Sequence, residues 1–181
     1  AGNFVLLSDV VEQVGADVTR FIMLTRKNDA PLDFDLAKAL EQSKDNPVFY
    51  VQYAHARVNS VLTKAGEAGL ETSDANLQNA DLTQLTHPAE LSLAQKLAEW
   101  PRLLEIAAKT NEPHRIAFYL YELASEFHAL QHLGKIEPDM RFIQADNPKQ
   151  SIARIALIRA VAVAIAAGLG ILGVTPAKEM R

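Results

Sequence analysis

The sequence predicts an all-α protein, an antiparallel helical bundle, and three observations lead there. Five segments repeat apolar residues at helical 3-4 spacing, and none sustains the alternation of a half-buried strand. Proline and glycine punctuate the chain between those segments, where helices start and stop. Short links between long amphipathic helices favour antiparallel neighbours. At 181 residues, 49% hydrophobic and 22% charged, the chain has the composition of an ordinary globular domain with its own apolar core.

The first segment is a pair of helices over Ser8 to Thr25. Ser8 can cap the first, Asp9 and Glu12 suit its opening turn, and Gly15 suits a stop. Asp17 is placed to begin the second, which runs through Arg20, Phe21 and Leu24. Lys27-Asn28-Asp29-Ala30-Pro31 reads as a loop, after which Asp33 or Asp35 can cap a helix through Leu36, Ala37, Leu40 and Glu41. Asn46-Pro47 is a capping amide followed by proline at the first helical position. The helix from Pro47 to about Ala65, about 28 Å long, carries Val51, Ala54, Val58, Val61 and Ala65 as one apolar stripe, and Gly66 and Gly69 stop it.

Residues 70–87 are polar, acidic and without period, and read as an exposed loop. Pro88 starts the next helix, with Leu93, Leu97, Trp100 and Leu104 on one face and a kink or break at Pro101. Glu112-Pro113 restarts the chain into Ile116, Leu120, Leu123, Phe127 and Leu130 at 4-3-4-3 spacing, closed by Gly134. A loop with Pro138, Asp146, Asn147 and Pro148 leads to the last stripe, Ile155, Ile158, Ala162, Ile165, Leu169 and Leu172. The longest charge-free apolar stretch, Ala160 to Val174, has 15 residues, fewer than the ~20 of a membrane span. It predicts a buried helix and no membrane partner.

Composition narrows the chemistry. Without cysteine there is no disulfide framework, thiolate nucleophile or cysteine-ligated metal. The first residues lack the basic and apolar regions of a signal peptide, so a cytoplasmic location is expected. The opening Ala1, in place of methionine, suggests a piece of a longer protein. The net charge is −4, and residues 71–100 hold one basic and five acidic side chains, so a nucleic-acid partner requires a local basic face elsewhere. No glycine-rich phosphate loop, serine nucleophile elbow or metalloprotease His-Glu pair occurs. His128 and His132, at i and i+4, could share a metal or simply hydrogen-bond, and a metal-dependent helical enzyme would need further ligands. Glu122 and Glu126 could share a proton or form a solvated edge.

The helix from Pro47 offers more. Tyr50, Tyr53, Arg57, Ser60 and Lys64 form a row at 3-4-3-4 spacing beside the apolar stripe. Rings accept unstacked bases and cations answer phosphate charge; the bland alternative is tyrosines covering the bundle edge beside solvated cations. By the same spacing, Phe118, Tyr119, Tyr121 and Phe127 are core or core edge.

Residues 47–57 read PVFYVQYAHAR, preceded by SKDN. This resembles the helix that opens the anticodon-binding domain of arginyl-tRNA synthetases. AGNFVLLSDVVEQVGADVTRF (1–21) is similar to the segment after that family's KMSK-like loop, and RKNDAPLDFDLAKALEQ (26–42) to its connecting stem helices. EPHRIAFYLYELASEFHALQ (112–131) and LGILGVTPAKEM (169–180) resemble its last long helices and tail. The resemblance implies the helical bundle of class I aminoacyl-tRNA synthetases, with 1–45 as stem and connector helices and 46–181 as the anticodon-binding bundle. It implies that the catalytic domain of the same chain precedes Ala1. The full enzyme joins arginine to its tRNA using ATP and magnesium, whereas this fragment would bind the anticodon arm without cofactor or catalysis.

Carried over by position, Tyr50 and Tyr53 match aromatic positions that contact the anticodon loop, with Arg57 following them. Phe127 and Gln131 fall on a second contact helix, where Gln131 offers no ring, and Met180 matches a near-terminal methionine. Phosphates would be held by Arg57, Lys64, Arg154 and Arg159, although Arg159 could instead be paired among its apolar neighbours. The alternative function is a stand-alone helical domain binding protein partners through its Ala-rich final helix. A large exposed apolar patch would favour that reading, and a basic groove beside Tyr50 and Tyr53 would favour RNA.

Overall fold

The computed structural model describes residues 6–27, 29–41, 43 and 45–180 and shows no strand among them. The helices in chain order are α1 (Leu7–Val14), α2 (Ala16–Met23), α3 (Leu36–Leu40), α4 (Pro47–Glu67), α5 (Asp74–Gln78), α6 (Pro88–Ala98), α7 (Trp100–Thr110), α8 (His114–Ile136) and α9 (Pro148–Ile171). Three-residue 3-10 turns add Leu82–Gln84 and Pro138–Met140. Asn28, and the Ala1–Val5, Gln42 and Lys44 positions of the quoted stretches, lie outside the described residues.

The centre of the bundle is α4, α8 and α9, each packed on the other two, with α6 closing one side. All five stripe positions of α8 are buried, as are all six from Ile155 to Leu172. Of the five stripe positions on α4, only Val61 is half-buried and the rest are buried. Each large aliphatic side chain taken from water here contributes roughly 1.5–3 kcal/mol. The 24-residue α9 is long and apolar enough by composition to cross a membrane. In the structure it is the central strut, apolar nearly all round because it has neighbours nearly all round. It even buries Arg154, whose Nε donates to Glu90 Oε1 at 2.5 Å and whose Nη1 donates to the carbonyls of Asp139 (2.6 Å) and Arg141 (2.9 Å). The other Glu90 oxygen accepts from the Thr86 and His87 amides, capping α6.

Several boundaries differ from expectation. Leu6, not Ser8, occupies the α1 cap position; the Ser8 hydroxyl donates to Asp9 instead. Gly66 lies inside α4, and the stop falls at Gly69, with φ +82°. Glu99 separates α6 from α7, with Pro101 in the first turn of the second. Gly134 does not end α8. A Cβ there would lie 3.0 Å from the Met140 carbonyl oxygen, so glycine admits the returning backbone.

Residues 70–87 are not simply an exposed loop. α5 and the first 3-10 turn are capped by Ser73 and Asp81, and they bury Leu77 and Leu85 against α9. Elements of five and three residues are too short to show a period.

At the other end α1, α2 and α3 pack on one another, and α2 lays the fully buried Phe21 toward α4. Asn46 joins the two parts: its amide donates to Ala39 O at the end of α3 and its Oδ1 accepts from Val48 N at the start of α4.

Candidate nucleic-acid interface

On α4 the row beside the apolar stripe opens gradually toward solvent. The Tyr50 ring is half-buried, 5.0 Å from Tyr121 and 4.7 Å from His128 between centroids. One turn on, Tyr53 is 37% exposed and stacks on the same imidazole at 5.4 Å. The Tyr53 hydroxyl accepts from Arg57 Nε at 2.6 Å, and that guanidinium stands 4.9 Å from the ring centroid. Ring and guanidinium therefore form one continuous surface. Ser60 is half-buried, and Arg57 and Lys64 are exposed.

Tyr53, Arg57, Ser60 and Lys64 form one wall of an open groove of about 780 Å3. Lys178 and Met180, on the chain's tail, line the same groove. Three cations, Arg57, Lys64 and Lys178, share this groove with two carboxylates, Glu67 and Glu179. Among the described residues none of those cations has a carboxylate at ion-pair distance. Such a site can stack a base on ring and guanidinium while ammonium groups meet phosphate.

His128 is the residue that sequence reasoning missed. Its ring fills the angle between Tyr50, Tyr53 and Phe127, with Nε2 donating to the Tyr50 carbonyl at 3.4 Å. Burial holds its pKa below the ordinary histidine value, and the Arg57 charge acts in the same direction. Only the 3-4 spacing on α8 hinted at such a place. His132 is exposed, and among the described residues no group of three His, Asp or Glu side chains is placed to hold a metal ion. Glu122 and Glu126 tie α8 to α6 through Lys96 (2.6 Å) and Ser92 (3.0 Å).

Of the residues expected to touch RNA, Tyr53, Arg57, Ser60, Lys64 and Met180 come together along the groove. Tyr50 and Gln131 stand beside it, both touching His128. Phe127 must be removed from the set. It has no exposed surface and its ring stacks on Phe142, 6.1 Å away and 3° from parallel, so no face remains for a base. Arg154 is excluded as a phosphate ligand by its burial against Glu90. Arg159 is paired twice with Asp74, at 2.8 and 3.1 Å, away from the groove. That pair borders an apolar cleft of about 690 Å3, where Leu82, Leu91 and Val163 are exposed. The final helix offers little to a partner: of its large apolar residues only Val163 and Ile171 are exposed.

Known proteins share this architecture. Over its whole length the chain is 70% identical to the arginine–tRNA ligase of Ruegeria pomeroyi and 68% identical to that of Paracoccus denitrificans. It spans 31% of the length of each. Among solved structures, 93% of the chain superposes on 27% of the Thermus thermophilus arginyl-tRNA synthetase, with a TM-score of 0.75 and 29% identity. Residues 51–180, which contain the whole α4 row from Tyr53 onward and the tail across the groove, match the family model of the DALR anticodon binding domain. Fold, groove and family model agree over the same stretch, and the chain belongs to the DALR anticodon binding domain family.

Proposed function

We propose that this chain grips the anticodon arm of arginine-accepting tRNA, as one part of an arginine–tRNA ligase. The observation that carries the reading is the groove on α4, where an exposed ring, a guanidinium and two ammonium groups border one open volume. Family membership and the names of the relatives support it. Anticodon nucleotides are unpaired, so their bases can leave the loop's own stack, lie on Tyr53 and Arg57, and be read on their Watson–Crick edges. Arg57, Lys64 and Lys178 would position the backbone without reading sequence. Arginine codons share a middle G, so the matching anticodons share a central C, and that base is the natural object of recognition.

In this reading residues 1–45 connect to the catalytic part of a cytoplasmic enzyme. Arginine, ATP and magnesium belong to that part. No residue of this chain is assigned to them. The test is a titration of the chain with an arginine anticodon stem-loop and with the same RNA carrying another base in place of the central C. Binding should be salt-sensitive and weaker for the altered loop. Equal affinity for both would defeat the claim of recognition.

A further inference from the structure

After α9 the chain forms no further helix or strand among the described residues, yet its path is held by side chains from two distant helices. Gly173, at φ +68°, offers its carbonyl to Arg20 Nη1 of α2 at 2.6 Å. A Cβ at that position would fall 2.6 Å from the same Nη1, and the left-handed backbone there favours glycine. The Thr175 amide donates to Asp17 of α2 at 3.0 Å. Its carbonyl accepts from Gln52 Nε2 of α4 at 2.8 Å, and the Ala177 carbonyl accepts from His55 Nδ1 at 2.7 Å. His55 is 6% exposed, and Asn59, one turn on, donates to its backbone carbonyl. Beyond Ala177 the tail lines the groove with Lys178, Glu179 and Met180, together with Tyr53 and Arg57.

We infer that Gln52 and His55 are positioning residues of the RNA groove, clamping the C-terminal strap that lines it together with Tyr53 and Arg57. The inference rests on the RNA-binding reading above. From its last tether at Ala177, Met180 is three residues away and can reach about 10 Å; released back to Thr175, whose amide Asp17 still holds, it is five away and can reach about 17 Å. Lengthening the free strap in this way dilutes it across the groove by roughly twofold for a flexible coil and fivefold for a freely swept volume. The clamp therefore acts on RNA affinity through the strap, although neither clamp residue needs to touch RNA.

The experiment compares the chain with its Gln52→Ala/His55→Ala variant, reading stem-loop affinity, melting temperature and amide exchange over residues 175–180. The variant should stay folded, exchange faster in the strap, and bind roughly twofold to fivefold more weakly. Met180→Ala should weaken the parent chain and cost less in the clamp variant, a non-additivity that general loss of stability does not produce. Faster strap exchange with unchanged affinity, or an equal Met180→Ala cost in both backgrounds, overturns the inference. If the double variant unfolds, His55→Leu, which keeps buried bulk on α4 but cannot donate to the Ala177 carbonyl, carries the same comparison. Tyr53→Ala separates the two levels. A clamp variant that binds normally while Tyr53→Ala binds poorly refutes the clamp and spares the groove. A parent chain that does not bind the stem-loop refutes the groove itself.

Discussion

Tyr53 is the sharpest point at which to test the interface, because two substitutions there separate its two possible contributions. Alanine removes the ring that is 37% exposed beside the groove. Loss of one base-stacking platform costs about 1–3 kcal/mol, or roughly fivefold to 150-fold in affinity. Phenylalanine keeps the ring and deletes only the 2.6 Å bond from Arg57 Nε. A net hydrogen bond of about 0.5–1.5 kcal/mol would shift affinity at most about twelvefold, through a less firmly held guanidinium. Fluorescence anisotropy with a labelled anticodon stem-loop, at two or more salt concentrations, measures both. Neither change should alter the salt slope, whereas Arg57→Ala should lower it by about 0.7 for each phosphate that the guanidinium neutralises. The ring is partly exposed, so truncation falls below the ~3–5 kcal/mol of a buried aromatic and the helical circular dichroism spectrum should persist. If phenylalanine and alanine lose the same affinity, the ring face does not stack a base. If alanine loses none, the row on α4 is not the interface.

Three further outcomes follow from the same structure. Arg154→Met strands the Glu90 carboxylate at 1% side-chain exposure and should cost about 3–5 kcal/mol, lowering the calorimetric melting temperature by roughly 10 °C; a fall under about 3 °C would show that the pair does not anchor α9. His128 is held neutral by burial, and the unfolded chain takes up its proton first as pH falls through about 6.5, so stability should decline from there until the lower native value is passed. His128→Gln should flatten the melting-temperature decline between about pH 7.5 and 5.5, and an equally steep decline would refute it; Glu112, held at about 2 chiefly by Arg115 and then Lys27, acts only below this window. Arg159→Ala should leave stem-loop affinity within about twofold, because that cation is paired with Asp74 away from the groove; a larger loss would mean that the RNA surface extends across α9.

The long elements are legible because their burial is periodic and their ends are marked. Asn46-Pro47, the Ile116–Leu130 stripe and the Ile155–Leu172 stripe each translate directly into packed helix. Sequence and structure part where a residue type has two uses. Glycine reads as a stop at Gly66 and Gly134, but in α8 it serves the approach of another backbone. Serine reads as a cap at Ser8, although the neighbouring Asp9 takes its hydroxyl. The segment 70–87 looks unstructured because its two buried leucines sit in, or just after, elements shorter than two helical turns.

The site is legible to the extent that a single helix encodes it. α4 carries three rows at 3-4 spacing: Val51, Ala54 and Val58 in the core, Tyr53, Arg57, Ser60 and Lys64 along the groove, and Gln52, His55 and Asn59 toward the strap. The first two rows declare themselves by residue type. The third does not, because its partners are backbone atoms more than 120 residues away and leave no pattern in the sequence. Phe127 shows the converse limit: matched by position it looks like an RNA ligand, matched by period it is core, and packing against Phe142 decides for the period. The same helix that anchors the core thus fixes both walls of the groove, one through its own side chains and one through the strap. A shift of α4 against α9 would move the two walls together and preserve their spacing. Changes confined to the strap would alter the spacing alone, which is why affinity should respond to the clamp more steeply than stability does.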